Sequence, residues 1–433
     1  MKRCDVVIIG GGLTGLSAAY HLSKRGRDVI LVEKDMEVGG LVSSWDLEGY
    51  KIEKFYHHIS KNDVFLVDLL EDLGIKEKLK WKHGSVGYYY ENNVYKMDTP
   101  LDILRFKGLN FIDMIRIAFI VLWVKLKKDY SDLDEISARD WLIEKSGERG
   151  YNNFFRPLLK GKFGKNLKDV SAAWLFGRIK FRSRRSISGE KLGYMDHGFS
   201  EFIERLYIEI ENNGGKIFKD TTIKEIKAED GRVSGVSTTS GEIIATNVIS
   251  TIPPKELLKI CSFPTKFGDM LKKIKYQRTI CALLGLETNL LEKVYWLNIK
   301  SETLPFGAII EHTNFHNIPG YGRDHLVYVV SYVQEDKDEL WEKKDEDIIS
   351  DFVKGLEQAF PGFSKSSVKW WRLARGIYSA PIYRKGYLKD IREIRSPIKG
   401  LYITGMFMTY PERSMNGSLE LGKEMAFRLD NED

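Results

Sequence analysis

The first forty residues leave this chain few ways to fold. Cys4-Asp5-Val6-Val7-Ile8-Ile9 is a short, mostly apolar, β-branched run of the kind buried in a parallel sheet. Gly10-Gly11-Gly12-Leu13-Thr14-Gly15 follows directly and places glycines at 10, 12 and 15 in GxGxxG spacing. Leu16 to Arg25 has helical periodicity, with Leu16, Ala19 and Tyr20 on one face, and Gly26 ends it. Arg27 to Val32 reads as a second strand that stops at Glu33. Each part has a physical task in holding a dinucleotide. Gly10 permits the tight turn, Gly12 lets backbone approach a pyrophosphate, and Gly15 lets helix pack on strand. The helix N-terminus offers N–H groups and a positive dipole end to phosphate. Glu33 can accept hydrogen bonds from ribose hydroxyls, and its charge would repel a 2′-phosphate.

A chain of 433 residues exceeds one ordinary core, so two domains are expected. Hydrophobic residues at 43% and charged residues at 30% are globular values. The net charge of +6 is mild at this length. It suits an anionic ligand or an acidic membrane surface and makes no case for nucleic acid. The three cysteines, Cys4, Cys261 and Cys281, form no CxxC pair, which points to a reducing, cytoplasmic setting without a disulfide framework or zinc site. Lys2 and Arg3 precede an apolar run, but three glycines break it and no cleavage pattern follows, so it does not read as a signal peptide. Leu109 to Val124 is also apolar. Asp113 and Arg116 interrupt it, and a spanning helix needs about 20 apolar residues, so no transmembrane segment is expected.

Glu33-Lys34-Asp35-Met36-Glu37-Val38-Gly39-Gly40 adds a second glycine pair six residues after the acid. This arrangement resembles the flavoprotein class that includes monoamine oxidases, protoporphyrinogen oxidase, phytoene desaturases and UDP-galactopyranose mutase. Further segments carry the resemblance: Gly214 to Ile223, Asn247 to Pro254, Gly400 to Gly405, and Ser414-Met415-Asn416-Gly417-Ser418 opening a helix to about Arg428. The resemblance implies an α/β fold. It would comprise a Rossmann-like FAD-binding domain of the glutathione-reductase type and an interleaved α+β substrate domain. It implies FAD, held without a covalent bond, since Thr404 to Gly417 contains no cysteine. Carried over position by position, cofactor contacts fall at Gly10, Gly12, Leu13, Thr14, Gly15, Glu33, Lys34, Gly39, Gly40, Leu41, Ile223, Thr251, Gly405, Met415 and Asn416. Leu41 stands where the class usually has arginine.

These motifs assign 1–84, 198–264 and 391–433 to the cofactor domain, and 85–197 with 265–390 to the substrate domain. The first insert is expected to be helical over Leu101 to Lys128 and Ile136 to Lys145. The second contains strand-like runs at Arg278–Leu286, Phe306–Glu311 and Leu326–Val333, then a helix over Glu346–Gln358.

Candidate substrate residues come from four places. Phe55-Tyr56-His57-His58-Ile59 resembles the stretch of UDP-galactopyranose mutases that meets the flavin, which makes His58 a catalytic candidate and Tyr56 and His57 substrate candidates. No ligand stands at metal spacing beside the histidines. The basic run Arg178 to Arg185 offers Arg182 and Arg184 to an anionic substrate. Arg372 to Pro381 lies where the class lines its active site, with Tyr378 the second catalytic candidate. Tyr410 and Arg413 precede the last helix, and Arg413 is a substrate candidate. Residues 109–128, ending in Lys125, Lys127 and Lys128, could lie on a membrane or cover an apolar pocket.

The leading expectation is an FAD-dependent oxidoreductase, similar to protoporphyrinogen oxidases and desaturases, that oxidises a small organic molecule by hydride transfer to flavin N5. The amine oxidases of the class place a lysine on a strand matching Gln277 to Leu284, where this chain has Arg278 and Thr279. The alternative is a nucleotide-sugar mutase with no net redox. It is weakened by Thr404-Gly405-Met406 where those enzymes have Gly-Gly-Arg. A flavin carrier without catalysis is a third reading.

Overall fold

The structure is a computed structural model that describes residues 2–183, 191–301, 303–334, 338–411 and 413–432. The first strand, Lys2–Ile9, lies in parallel between Val29–Val32 and Gly241–Ser250, and Lys216–Phe218 pairs beyond Val29–Val32. Gly241–Ser250 serves two neighbours. Its first half pairs antiparallel with Arg232–Thr238, which pairs with Ile223–Glu229, while its second half pairs in parallel with Leu401–Ile403. The central strands are apolar throughout because both faces are covered. Val6, Ile8, Val29 and Leu31 pack with helices, and Val7, Ile9, Ile30 and Val32 pack on the other side against the antiparallel strands.

Helix Leu13–Ser23 begins three residues earlier than expected and is buried at ten positions rather than along one stripe. The reason is the last helix, Met415–Glu432, which lies across it. A Cβ on Gly422 would collide with the Thr14 carbonyl oxygen, and the Ser17 hydroxyl donates to Leu419 O at 2.5 Å. The two ends of the sequence thus meet at backbone distance.

A second seven-stranded sheet runs in the order Val368–Pro381, Tyr276–Leu286, His325–Val333, Ala308–Glu311, Trp296–Ile299, Val86–Tyr90, Asn93–Lys96. Only the pair Trp296–Ile299 and Val86–Tyr90 is parallel. Alternate residues face opposite ways. Ile280, Ala282, Leu284, Val327 and Val329 pack under helix Asp345–Ala359. Cys281, Leu283, Tyr328 and Val330 pack instead with residues of the first sheet and its helices.

Two details differ from the expectation. The helix expected over 101–128 is two helices, Pro100–Leu104 and Phe111–Leu126. Each starts with its own reciprocal cap, Thr99 with Asp102 and Asn110 with Asp113, so the backbone N–H groups at each start are satisfied locally. The strand Val368–Pro381, longer than any the sequence suggested, is irregular opposite Gln277–Thr279. Lys191–Tyr194 pairs with Ile59–Ser60 and Lys80–His83, returning the first insert to the N-terminal segment. No helix among the described residues is long and apolar enough to cross a membrane.

Replacing Gly422 with leucine should force the terminal helices apart. We expect a loss of about 1–3 kcal/mol, read as a lower midpoint in thermal denaturation, because overpacking against backbone cannot be relieved by a rotamer. Glu420→Ala, on an exposed position of the same helix, should shift the midpoint little.

Candidate cofactor and substrate site

The turn after the first strand forms an open cradle. Gly10 adopts φ +104°, and a Cβ there would press on Thr251 and Ile252. A Cβ on Gly15 would overlap the Gly10 carbonyl oxygen, so helix and turn touch at backbone distance. Gly12 is the opposite case: a Cβ there meets no atom within 4 Å. No side chain caps the helix N-terminus behind Gly12, and its first turn carries no acid. Space above Gly12 and an uncapped positive helix end together suit a pyrophosphate.

The Glu33 carboxylate is buried and accepts from Gly11 N–H at 2.6 Å and Asp35 N–H at 2.9 Å. These bonds fix its orientation, and each oxygen keeps a lone pair for a ribose hydroxyl. Gly39 and Gly40 both have positive φ, and Gly39 N–H donates to Gly11 O at 2.7 Å. This lays the second glycine pair beside the first. The Thr251 hydroxyl donates to Ile9 O at 2.9 Å and pins the end of its strand to the same turn. Gly405 has φ +138°, and a Cβ on it would strike Thr251 O. The residues present therefore fit FAD along this edge.

On the substrate side, the Tyr56 hydroxyl is 2.8 Å from that of Tyr332. Burial pushes both phenols up, with Arg413 pulling the other way, so both stay neutral. His57 Nδ1 lies 2.6 Å from Phe55 O. A carbonyl can only accept, so Nδ1 carries the proton and Nε2 the lone pair. Burial first, and then the Arg413 charge, lower His57 to about 4. Arg413 donates through Nη1 to Ser379 O. Thr279 stands opposite Tyr332 in the sheet, and Gln277 and Cys281 share its face. Gln277 Oε1 is buried and has no hydrogen-bond partner among the described residues. Arg278 points the other way, its guanidinium 4.8 Å from the Trp341 ring.

The structure thus gathers Tyr56, His57 and Arg413 into one cluster. His58 sits beside it, with Nδ1 3.1 Å from the Tyr295 hydroxyl and its ring edge-on to Trp296. Tyr378 faces elsewhere: its hydroxyl donates to Glu256, on helix Pro254–Ile260, and its ring packs on Tyr276. Asn416 accepts from Leu66 N–H at 2.9 Å and so caps helix Val64–Asp72. Met415 begins the last helix, where the Ser414 hydroxyl accepts from Gly417 N–H at 3.0 Å. Ile223 is buried at the start of its strand, Leu13 and Thr14 are buried in the first helical turn, and Lys34 and Leu41 flank Glu33 and Gly40. Arg182 is in helix Ala172–Ser183, and Arg184 lies outside the described residues.

Sequence reasoning did not find Tyr332, Gln277, Tyr295 or Trp296. The period-two alternation of Tyr328, Val330 and Tyr332 carried a signal, but which parity faces the site is set by the sheet's packing partner. Among the described residues no cluster of His, Cys, Asp and Glu could hold a metal ion. All three cysteines are buried, and burial pushes their thiols up to about 12, 11 and 12 at Cys4, Cys261 and Cys281.

Comparison with known proteins agrees with this geometry. Residues 13–429 match the family of flavin containing amine oxidoreductases, and the chain belongs to that family. It is 23% identical over 472 residues to the 15-cis-phytoene desaturase of Arabidopsis thaliana, covering 98% of this chain and 79% of that protein. It is 24% identical over 453 residues to the coproporphyrinogen III oxidase of Bacillus subtilis (strain 168), covering 93% and 92%. The solved structure of reduced UDP-galactopyranose mutase superposes with a TM-score of 0.78 at 16% identity, covering 100% and 95% of the two chains. The protein is accordingly an FAD-dependent oxidoreductase on an α/β fold.

Two outcomes are expected. Gly12→Val should leave the thermal midpoint of cofactor-free protein nearly unchanged, because no protein atom lies in the way, yet lower FAD affinity by about 100-fold or more through overlap with the pyrophosphate position. Flavin fluorescence titration checks this. Secondly, His57 is neutral in the fold well below its ordinary 6.5. Between pH 6.5 and about 4 the unfolded chain binds the extra proton, so this residue's contribution to stability is complete above 6.5 and falls as pH falls. The stability difference between wild type and His57→Phe, from urea melts, should be flat above pH 6.5 and shift against wild type below it.

Proposed function

We propose that this enzyme oxidises a carbon skeleton, as desaturases and porphyrinogen oxidases do, rather than an amine, and that its substrate is largely apolar with one acidic or polar end. The observation that supports this is the face built by Gln277, Thr279, Cys281, Tyr332 and Tyr56. It is neutral and partly apolar, and the cation on that strand, Arg278, is directed away. A buried neutral wall stabilises an uncharged substrate better than a charged amine.

FAD supplies the hydride acceptor at N5 in this reading. The protein's part is placement. Arg413 and the helix bearing Arg178 stand at the edge of the cluster, where a carboxylate can pair with a guanidinium. Gln277 Oε1 accepts a hydrogen bond from substrate, and His57 Nε2 offers a second acceptor. His58, held by Tyr295, orients the aromatic wall. Tyr378 joins the second sheet to the cofactor domain through Glu256. The cofactor is held without a covalent link, and the interleaved boundaries at residues 84, 197, 264 and 390 divide cofactor from substrate domain.

The mutase reading is kept for one reason: Tyr56, His57 and Arg413 converge, and such a cluster also suits a nucleotide diphosphate.

The test is anaerobic mixing of the FAD-loaded enzyme with three panels while the flavin absorbance is followed: porphyrinogens and polyene precursors, primary amines, and UDP-sugars with dithionite-reduced enzyme. Bleaching by the first panel supports the reading. Bleaching by amines alone, or turnover of UDP-sugars by reduced enzyme alone, sinks it. With the reactive panel member, Arg413→Met should raise KM about tenfold with a smaller effect on kcat. Tyr378→Phe should change kcat less than about twofold, since its hydroxyl is committed to Glu256.

A further inference from the structure

Helix Phe111–Leu126 is apolar on the side that faces away from the protein. Its buried face is Asp113, Ile117, Ile120 and Val124. On the opposite side Phe111 is 71% exposed, Phe119 63% and Leu126 72%, with Ile112, Ile115 and Leu122 each more than half exposed. At about 100° per residue these six follow one another around roughly 100° of the helix circumference. Leu101 and Leu104 of the preceding short helix are exposed as well. So large a contiguous apolar surface is not ordinary for a chain that meets only water.

Charge borders the stripe. The same angular arithmetic puts Arg116 on one side of it and Lys125 on the other, both exposed. Arg105, Lys107 and Lys128 are exposed at the two ends. Among the described residues, the ion pairs in this region join Lys127 to Asp132 and Arg149 to buried Asp113, and they include none of these five cations. The two acids of the segment, Asp102 and Asp113, serve as helix caps.

We infer that this face seats in the surface of an anionic lipid bilayer, with the helix lying in the plane of the interface and its six apolar side chains in the acyl boundary. The pattern of apolar stripe and flanking cations is what such a surface selects. A second copy of the chain fits less well. Apposing two such stripes would crowd the flanking cations Arg116 and Lys125 of both copies, while the exposed acids Asp129 and Asp132 lie only beyond the helix's C-terminal end, where Asp132 already pairs with Lys127. The seat also has a structural path to the candidate site. Trp123 packs on Phe176 of helix Ala172–Ser183, and Gly177 of that helix abuts Pro411, two residues before Arg413. These contacts join the lipid seat to the edge of the candidate site by packing. Any use of that link by an apolar substrate rests on the reading of the substrate given above, whereas the lipid contact does not.

The experiment is co-sedimentation of the FAD-loaded full chain with vesicles of phosphatidylcholine alone, or with about one-third phosphatidylglycerol, with no substrate present. Wild type should pellet with the anionic vesicles and be released in part by high salt. Phe119→Glu with Leu122→Glu should reduce partitioning at least about tenfold while the flavin spectrum and thermal midpoint stay those of wild type. Arg116→Glu with Lys125→Glu should abolish the preference for phosphatidylglycerol. Wild type remaining in the supernatant with both vesicles, or the double glutamate stripe variant pelleting like wild type, overturns the inference. So does a lipid-free dimer in sedimentation velocity that the stripe variant dissolves and vesicles do not displace, since the occupant is then a second copy. The readout involves no turnover, so a wrong substrate would leave it untouched.

Discussion

The backbone contact between Gly15 and Gly10 is the constraint on which the rest depends. With no Cβ between them, the first helix sits directly on the turn, its N-terminus aimed over Gly12. Gly422 repeats the device from the far end of the chain, bringing the last helix to the Thr14 carbonyl. The Glu33 carboxylate then closes the second strand onto the same turn through Gly11 N–H. Helix dipole, ribose acid and terminal helix are held in one arrangement before any ligand contributes, so less ordering is left for binding to offset.

The second sheet supplies chemistry through parity. One set of its alternating residues makes a core with helix Asp345–Ala359, and the other set faces the cofactor domain. Gln277, Thr279 and Cys281 therefore share the face of Tyr332, while Arg278 lies against Trp341 on the other. A single residue slip would exchange them. The neutral character of Tyr56, Tyr332 and His57 follows from the same burial. Arg413 acts on each of them, so charge enters this site from its edge rather than its floor. The outward face of helix Phe111–Leu126 reverses the usual pattern, with Phe111, Phe119 and Leu126 exposed where the first insert meets its surroundings.

Much of the cofactor side was legible in the sequence. GxGxxG, Glu33 and the Gly39–Gly40 pair are local patterns whose tasks are set by backbone sterics and a helix end, so a linear reading reaches them. Tyr56, His57 and Arg413 were singled out as substrate candidates, and the fold gathers them from positions far apart in the chain. Tyr332 and Gln277 went unnoticed, because an alternating strand does not say which of its faces is the inner one. Tyr378 was placed on the site by resemblance, whereas the fold gives its hydroxyl to Glu256. The break between Pro100–Leu104 and Phe111–Leu126 was written in Asn110 and Asp113, a reciprocal cap inside an apolar run that hydrophobicity alone reads straight through.

By itself, then, the sequence determined the dinucleotide cradle, the acidic end of its second strand and the pairing of the chain's two ends in one domain. Each depends on steric and electrostatic rules that act over a few residues. The tertiary structure alone decided which strand faces meet the cofactor domain, where Arg278 and Tyr378 point, and which side of helix Phe111–Leu126 stays uncovered. Those outcomes depend on what packs against each element, and that partner comes from residues up to several hundred positions away.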